Sequence, residues 1–101
     1  MDSNNDISVA ELKELIESGK DFHFIDVRNP DEYEEDNLGA TLIPLGELAD
    51  RVDELEELKE EDIYIHCRSG ARSGRAKDWL ESQGFSKVHN VLGGILAYRE
   101  L

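Results

Sequence analysis

Cysteine occurs once in the 101 residues, at Cys67, and proline only twice. A single thiol excludes an intramolecular disulfide, a disulfide scaffold and a two-cysteine redox cycle within the chain, so chemistry at Cys67 needs an external partner. Basic charge is scarce: 11 Lys and Arg stand against 24 Asp and Glu, a formal charge of −13. A field of that sign repels phosphate backbones and anionic lipid, which argues against nucleic acid and membrane as main partners. It suits solubility, adaptation to salt, or selection of basic protein partners. Long hydrophobic runs are missing too. No stretch reaches the ~18 apolar residues of a membrane span, and Met1 to Asp6 is polar and acidic, unlike a secretory leader, so a cytoplasmic location is expected. At this length a chain removes roughly two thirds of its unfolded surface from water, enough for one core. The expectation is a monomer with a surface cleft, residues 1–5 disordered and residues 6–101 a single domain.

What is present alternates. Ser8 and Glu11 form a capping box, with Ile7 and Leu12 at the staple positions, and Val9, Leu12, Leu15 and Ile16 keep one apolar face of a helix ending at Gly19. Phe22 to Val27 is almost continuously apolar, as in a parallel strand covered on both faces. Asn29-Pro30-Asp31-Glu32 opens a short helix. Thr41-Leu42-Ile43 is a brief strand. Leu45, Leu48, Val52 and Leu55 predict one amphipathic helix with an acidic outer face. Ile63 to His66 is a strand ending at Cys67. A helix follows with Ala76, Trp79, Leu80 and Gln83 on one side, closed by Gly84 with Phe85 folded back onto Leu80. Lys87 to Val91 is the last strand, before Gly93-Gly94 and a terminal turn. The alternation predicts an α/β fold of three layers, a short-stranded, mainly parallel central sheet flanked by helices.

Between Asp62 and Asp78 there is no acid, whereas Arg68, Arg72, Arg75 and Lys77 fall within the window. Cys67 sits there at the carboxyl end of a strand, where ligands bind in open parallel sheets. The amides of Arg68, Ser69, Gly70, Ala71 and Arg72 are expected to curl around the sulfur, with the next helix adding its positive end. Such a cradle lowers a thiol pKa from about 8.5 into the range ~3.5–7.5. A lone cysteine is otherwise a small buried hydrophobe, but that role needs neither flanking arginines nor a Gly/Ser turn. Zinc fits poorly. His66 and Cys67 face opposite sides of a strand, and His23 and His89 lack ligand spacing, so the three histidines read as packing or surface groups.

The run His66-Cys67-Arg68-Ser69-Gly70-Ala71-Arg72-Ser73 resembles the active-site loop of single-domain rhodaneses, the persulfide-forming sulfurtransferases. Phe24 to Tyr33 is similar to the family's first motif, and Gly84-Phe85 with Val91 to Ile95 to its closing one. Two departures are evident: Asp36-Asn37-Leu38-Gly39-Ala40 stands where the family has Gly-His-Ile-Pro-Gly-Ala, and Tyr98 replaces a late tryptophan. The resemblance implies Cys67 as the nucleophile, a small anionic sulfur donor such as thiosulfate, a thiol or cyanide acceptor and no cofactor. Arg72 is the expected donor-binding arginine. Arg68 is open between binding and surface pairing. The resemblance implies that Asp26 and Arg28 brace the site, with Ser73 in support.

Two other readings remain. Cysteine-dependent phosphatases and arsenate reductases also use a His-Cys nucleophile and a loop arginine, but their loop places five residues between the two where this one has four, Arg68 to Ala71. A persulfide carrier serving a protein partner shares the chemistry and differs only in what it serves.

Overall fold

Four parallel strands organise the chain in a computed structural model that describes residues 5–101. They are β1 (His23–Asp26), β2 (Thr41–Leu42), β3 (Ile63–His66) and β4 (Val88–Asn90), in the order β2-β1-β3-β4. The chain leaves β1 towards one edge and β3 towards the other. The carboxyl ends of β1 and β3 therefore flank a topological switch point, where an open parallel sheet has its crevice. Asp26 is registered opposite His66 across it, and the Val27 amide donates to the His66 carbonyl at 3.1 Å.

The α-helices among the described residues are α1 (Val9–Glu17), α2 (Pro30–Glu35), α3 (Leu48–Arg51), α4 (Ala71–Ser82) and α5 (Gly94–Tyr98). Strand periodicity divides the sheet's side chains between two faces. Ile25, Val27, Ile63, Ile65 and Cys67 join Ala76 and Leu80 of α4, and Leu48 and Leu55, in the main core. Phe24, Tyr64 and His66 face the other way in an aromatic row with Phe22 and His89. On that side α1 packs against α5. Three layers result, as expected.

The helix starts and stops follow their local signals. Ser8 and Glu11 exchange the two bonds of a capping box at 3.1 and 2.9 Å. At the end of α4 the Phe85 amide reaches the Leu80 carbonyl and the Gly84 amide the Glu81 carbonyl, which is the Schellman pair.

The segment after Leu45 departs from expectation. Instead of one amphipathic helix it is a 3₁₀ turn (Leu45–Glu47), the single α turn α3, and a 3₁₀ stretch (Val52–Leu58). The reason is a period of three rather than 3.6: Val52, Leu55 and Leu58 recur every third residue, which aligns on a 3₁₀ helix and slips round an α-helix. All three pack on the core. Of the residues expected to be disordered, 1–4 lie outside the described residues, and the Asn5 carbonyl accepts from His89 Nδ1 at 2.5 Å.

One buried ion pair joins the strand ends to α2. Asp26 is 0% and Arg28 4% exposed. Arg28 grips Asp26 through Nε at 3.0 Å and Nη2 at 2.7 Å, and its Nη2 also donates to the Asp36 carbonyl at 2.7 Å. These bonds raise the Arg28 pKa against the opposing desolvation. Truncating one member strands a buried charge, so Arg28→Ala is expected to cost ~3–5 kcal/mol, while the paired change Asp26→Leu with Arg28→Met recovers most of it. Urea unfolding of the single and double variants measures this; equal losses would mean that the pair itself matters little.

Candidate active site

The Cys67 residue is 1% exposed. Its Sγ accepts from the Gly70 amide at 3.1 Å, the Ser73 amide at 3.4 Å and the Ser73 hydroxyl at 3.4 Å. Burial pushes the thiol pKa up, but the Ser73 hydroxyl and amide, with the Gly70 and Ser69 amides, outweigh it and leave the pKa below its ordinary value. The loop opens onto the N-terminus of α4, whose dipole also favours the anion. These donors favour the thiolate form of Cys67. Among the described residues, no three His, Cys, Asp or Glu side chains group as a metal would require.

The cradle reaches one residue further than the sequence predicts. Ser73, placed there only in support, supplies its amide and a shared hydroxyl to the sulfur, whereas of the five amides expected around it only those of Ser69 and Gly70 contribute, those of Arg68, Ala71 and Arg72 making no bond to Sγ. Gly70 adopts φ +107°, a conformation that favours glycine, where the loop passes Gly93 and Asn90.

Several loop-holding residues escaped sequence reasoning. Asn90, on β4, donates through Nδ2 to the Gly70 carbonyl at 3.2 Å, and its Oδ1 lies 2.5 Å from the Ser73 hydroxyl, whose single proton it shares with Cys67 Sγ. The Asn90 amide in turn donates to Asp6 at 3.1 Å, and Lys77 Nζ to the same carboxylate oxygen at 2.6 Å. On the other side, the Ile95 amide caps the Cys67 carbonyl at 3.0 Å and the Leu96 amide the Arg68 carbonyl at 3.2 Å. That approach requires Gly94: a Cβ there would lie 2.4 Å from the Arg68 carbonyl oxygen. The only signal for Gly94 was its Gly-Gly pair; nothing local marks Asn90 or Asp6.

His66 is fully buried, with Nδ1 3.2 Å from the Cys67 carbonyl. Its Nε2 lies 3.4 Å from Asp26 Oδ2 without hydrogen-bond geometry. Desolvation lowers its pKa against the attraction of Asp26, which favours a neutral packing group, as the sequence reading has it. Asp26 and Arg28 likewise brace the neighbouring strand end and do not contact the sulfur.

The arginines depart from expectation. The Arg72 fork is bound to Glu32, Nη1 to Oε1 at 2.7 Å and Nη2 to Oε2 at 2.9 Å, and the Glu32 pKa falls to about 2, chiefly through these bonds. Arg68 is exposed and has no ion-pair partner among the described residues. The mouth is not the basic patch that the acid-free window suggests, because the fold brings α2 across it. A pocket beside the loop is lined by Arg28, Arg68 and Arg99 and by Glu32, Glu35 and Asp36, equal numbers of each sign.

Comparison with known proteins agrees with this geometry. The family described as "Rhodanese-like domain" matches residues 8–101. The chain is 41% identical over 91 residues to "Putative sulfur carrier protein YrkF" of Bacillus subtilis, covering 89% of this chain but 48% of that protein. It is 37% identical over 94 residues to "Putative sulfurtransferase YtwF" of the same organism, covering 92% of this chain and 88% of that one. The crystal structure of a rhodanese-like domain protein from Staphylococcus aureus superposes with a TM-score of 0.83 at 32% identity, over 92% of this chain and 89% of that one.

Ser73→Ala removes one hydrogen bond to the anion, a loss of ~1 kcal/mol, so the pH midpoint of Cys67 alkylation by iodoacetamide should rise by about half to one unit. An unmoved midpoint would remove the Ser73 hydroxyl from the cradle and leave only the amides. The Glu32–Arg72 pair makes a second prediction. A carboxylate depressed from 4.5 to about 2 stabilises the fold above its unfolded pKa and loses that contribution as pH falls towards about 2. Wild type should exceed Glu32→Gln in urea midpoint at pH 6, and the gap should narrow below pH 4.5 and close only towards pH 2.

Proposed function

The chain belongs to the rhodanese-like domain family, and from that premise we propose that it is a sulfurtransferase that moves a sulfane sulfur from a donor such as thiosulfate, through a persulfide on Cys67, to a thiol or cyanide. One observation carries the reading: a single buried sulfur ringed by the Gly70 and Ser73 amides and the Ser73 hydroxyl, with no acid or base in contact with it. That arrangement stabilises a sulfur anion and does little else.

The Cys67 thiolate attacks the outer sulfur of thiosulfate; the S–S bond breaks and sulfite leaves with the electron pair. The persulfide anion sits in the same ring of donors, so both halves of the cycle use one preorganised site. Cyanide then attacks the outer sulfur, thiocyanate leaves, and the thiolate returns. A thiol acceptor reacts in the same way and becomes a persulfide. Transfer needs no proton shuttle at the sulfur, which fits a neutral, buried His66. Phosphate-ester chemistry is less well supported, because the loop is one residue short and its arginine is held by Glu32.

A carrier role that serves a protein acceptor is favoured by Leu92 and Leu96, two exposed leucines flanking the loop-capping turn, where Leu96 meets Arg68. We place the chain in a reducing cytoplasm as a monomer, where a lone thiol stays available.

Intact mass after incubation with saturating thiosulfate and removal of small molecules tests the reading beside Cys67→Ser. The parent should gain one sulfur atom and the variant none; no gain on the parent would refute transfer from this donor.

A further inference from the structure

Glu32 is held in place by more than Arg72. Its Oε1 accepts the Asn29 amide at 3.0 Å, the capping bond of α2, so the carboxylate is fixed from its own helix. The pair is open to solvent, with Arg72 29% and Glu32 25% exposed, so an anion from solution can reach the guanidinium. Arg72 directly precedes Ser73, whose amide donates to Cys67 Sγ at 3.4 Å, so its guanidinium extends from the loop that holds the sulfur and its charge interacts with that of Cys67. Of the other cations of the mouth, Arg28 is engaged with Asp26 and Arg99 with both oxygens of Asp36 at 2.9 and 2.6 Å, which leaves Arg68 alone without an ion-pair partner among the described residues. Glu35 lines the same pocket. A dianionic donor must displace an anchored carboxylate from Arg72 and add two charges to a mouth whose own charges already balance.

Resting on the sulfur-transfer reading above, we propose that Glu32 is a specificity-determining residue: by occupying the Arg72 fork it screens the loop against small inorganic dianions and favours sulfane donors that carry no charge beside the transferred sulfur, the organic persulfides. With such a donor the Cys67 thiolate attacks the outer sulfur of R–S–SH. The S–S bond breaks, the thiolate RS⁻ leaves with the electron pair, and the proton stays on the new Cys67 persulfide. No developing sulfonate needs a cation, so Arg72 can remain with Glu32 throughout.

Sulfite tests the screen without turnover, since it carries the anionic group of thiosulfate and has no sulfur to give. Its protection of Cys67 from iodoacetamide is measured in wild type, in Glu32→Gln, and in Glu32→Gln combined with Arg72→Gln. Gln keeps an oxygen for the Asn29 amide, and Glu32→Ser is the second variant should Gln fail to fold. Release of Arg72 should lower the half-protecting sulfite concentration about tenfold, screened surface charge being discounted, and the double variant should lose the gain. Sulfur loading by intact mass should show KM for thiosulfate falling similarly in Glu32→Gln, with loading from 2-hydroxyethyl persulfide within about twofold of wild type on the same grounds. Unchanged sulfite protection in a folded variant, or equal changes for both donors, overturns the proposal. If wild-type Cys67 takes sulfur from neither donor, the sulfur-transfer reading falls, and sulfite protection still decides whether Glu32 screens the loop.

Discussion

A sulfur anion at a residue only 1% exposed is the constraint on which the rest of the structure depends. Burial alone would keep Cys67 a protonated thiol, because an apolar interior penalises the charged form. The fold answers with backbone amides rather than a cation. Amides are fixed dipoles whose positions are set by the chain path, so the stabilisation is only as good as the loop's geometry. A shift of a few tenths of an ångström in the Gly70 or Ser73 amide weakens the same term that makes the sulfur reactive.

This explains why so many residues hold the loop and so few touch the sulfur. Asn90 clamps Gly70 and Ser73 from β4, and Asp6 clamps Asn90 from the segment before α1. The Ile95 and Leu96 amides pull the Cys67 and Arg68 carbonyls the other way, across the space left by Gly94. Asp26 and Arg28 fix the neighbouring strand end and, through the Asp36 carbonyl, the far end of α2. Each tie comes from a different element, so the pocket is assembled only when the whole sheet is.

Features written in adjacent residues were legible. The capping box of Ser8 and Glu11, the Schellman end at Gly84 and Phe85, the four strands and the Cys67 loop all follow from local spacing, and the fold class follows from their alternation. The 3₁₀ character of 45–58 was also local, but its period of three was masked by one step of four between Leu48 and Val52. What stayed hidden was contact between distant segments. Nothing near Asn90 marks it as a partner of Ser73, and Gly94 looks like an ordinary turn glycine until a carbonyl is found against it. The Glu32 partner of Arg72 stayed hidden for the same reason: it lies 40 residues away.

The formal charge of −13 and the acid-free window both describe the chain in one dimension, and neither describes the field at the sulfur. Charges separated by more than about 10 Å in salt contribute little to each other, so the field a donor meets is set by the few groups at the mouth. There Arg72 meets Glu32 of α2 and Arg99, just past α5, meets Asp36 at the end of α2, through pairs spanning 40 and 63 residues, so much of the charge cancels. What remains is the directional field of the amides, which acts at the sulfur and fades outside it. Such a site distinguishes donors by what they leave at the rim. A donor that brings an oxyanion group to the rim finds its natural arginine already held, while one without such a group meets no such barrier, so the carboxylate that tethers α2 to the loop also bears on which sulfur reaches Cys67.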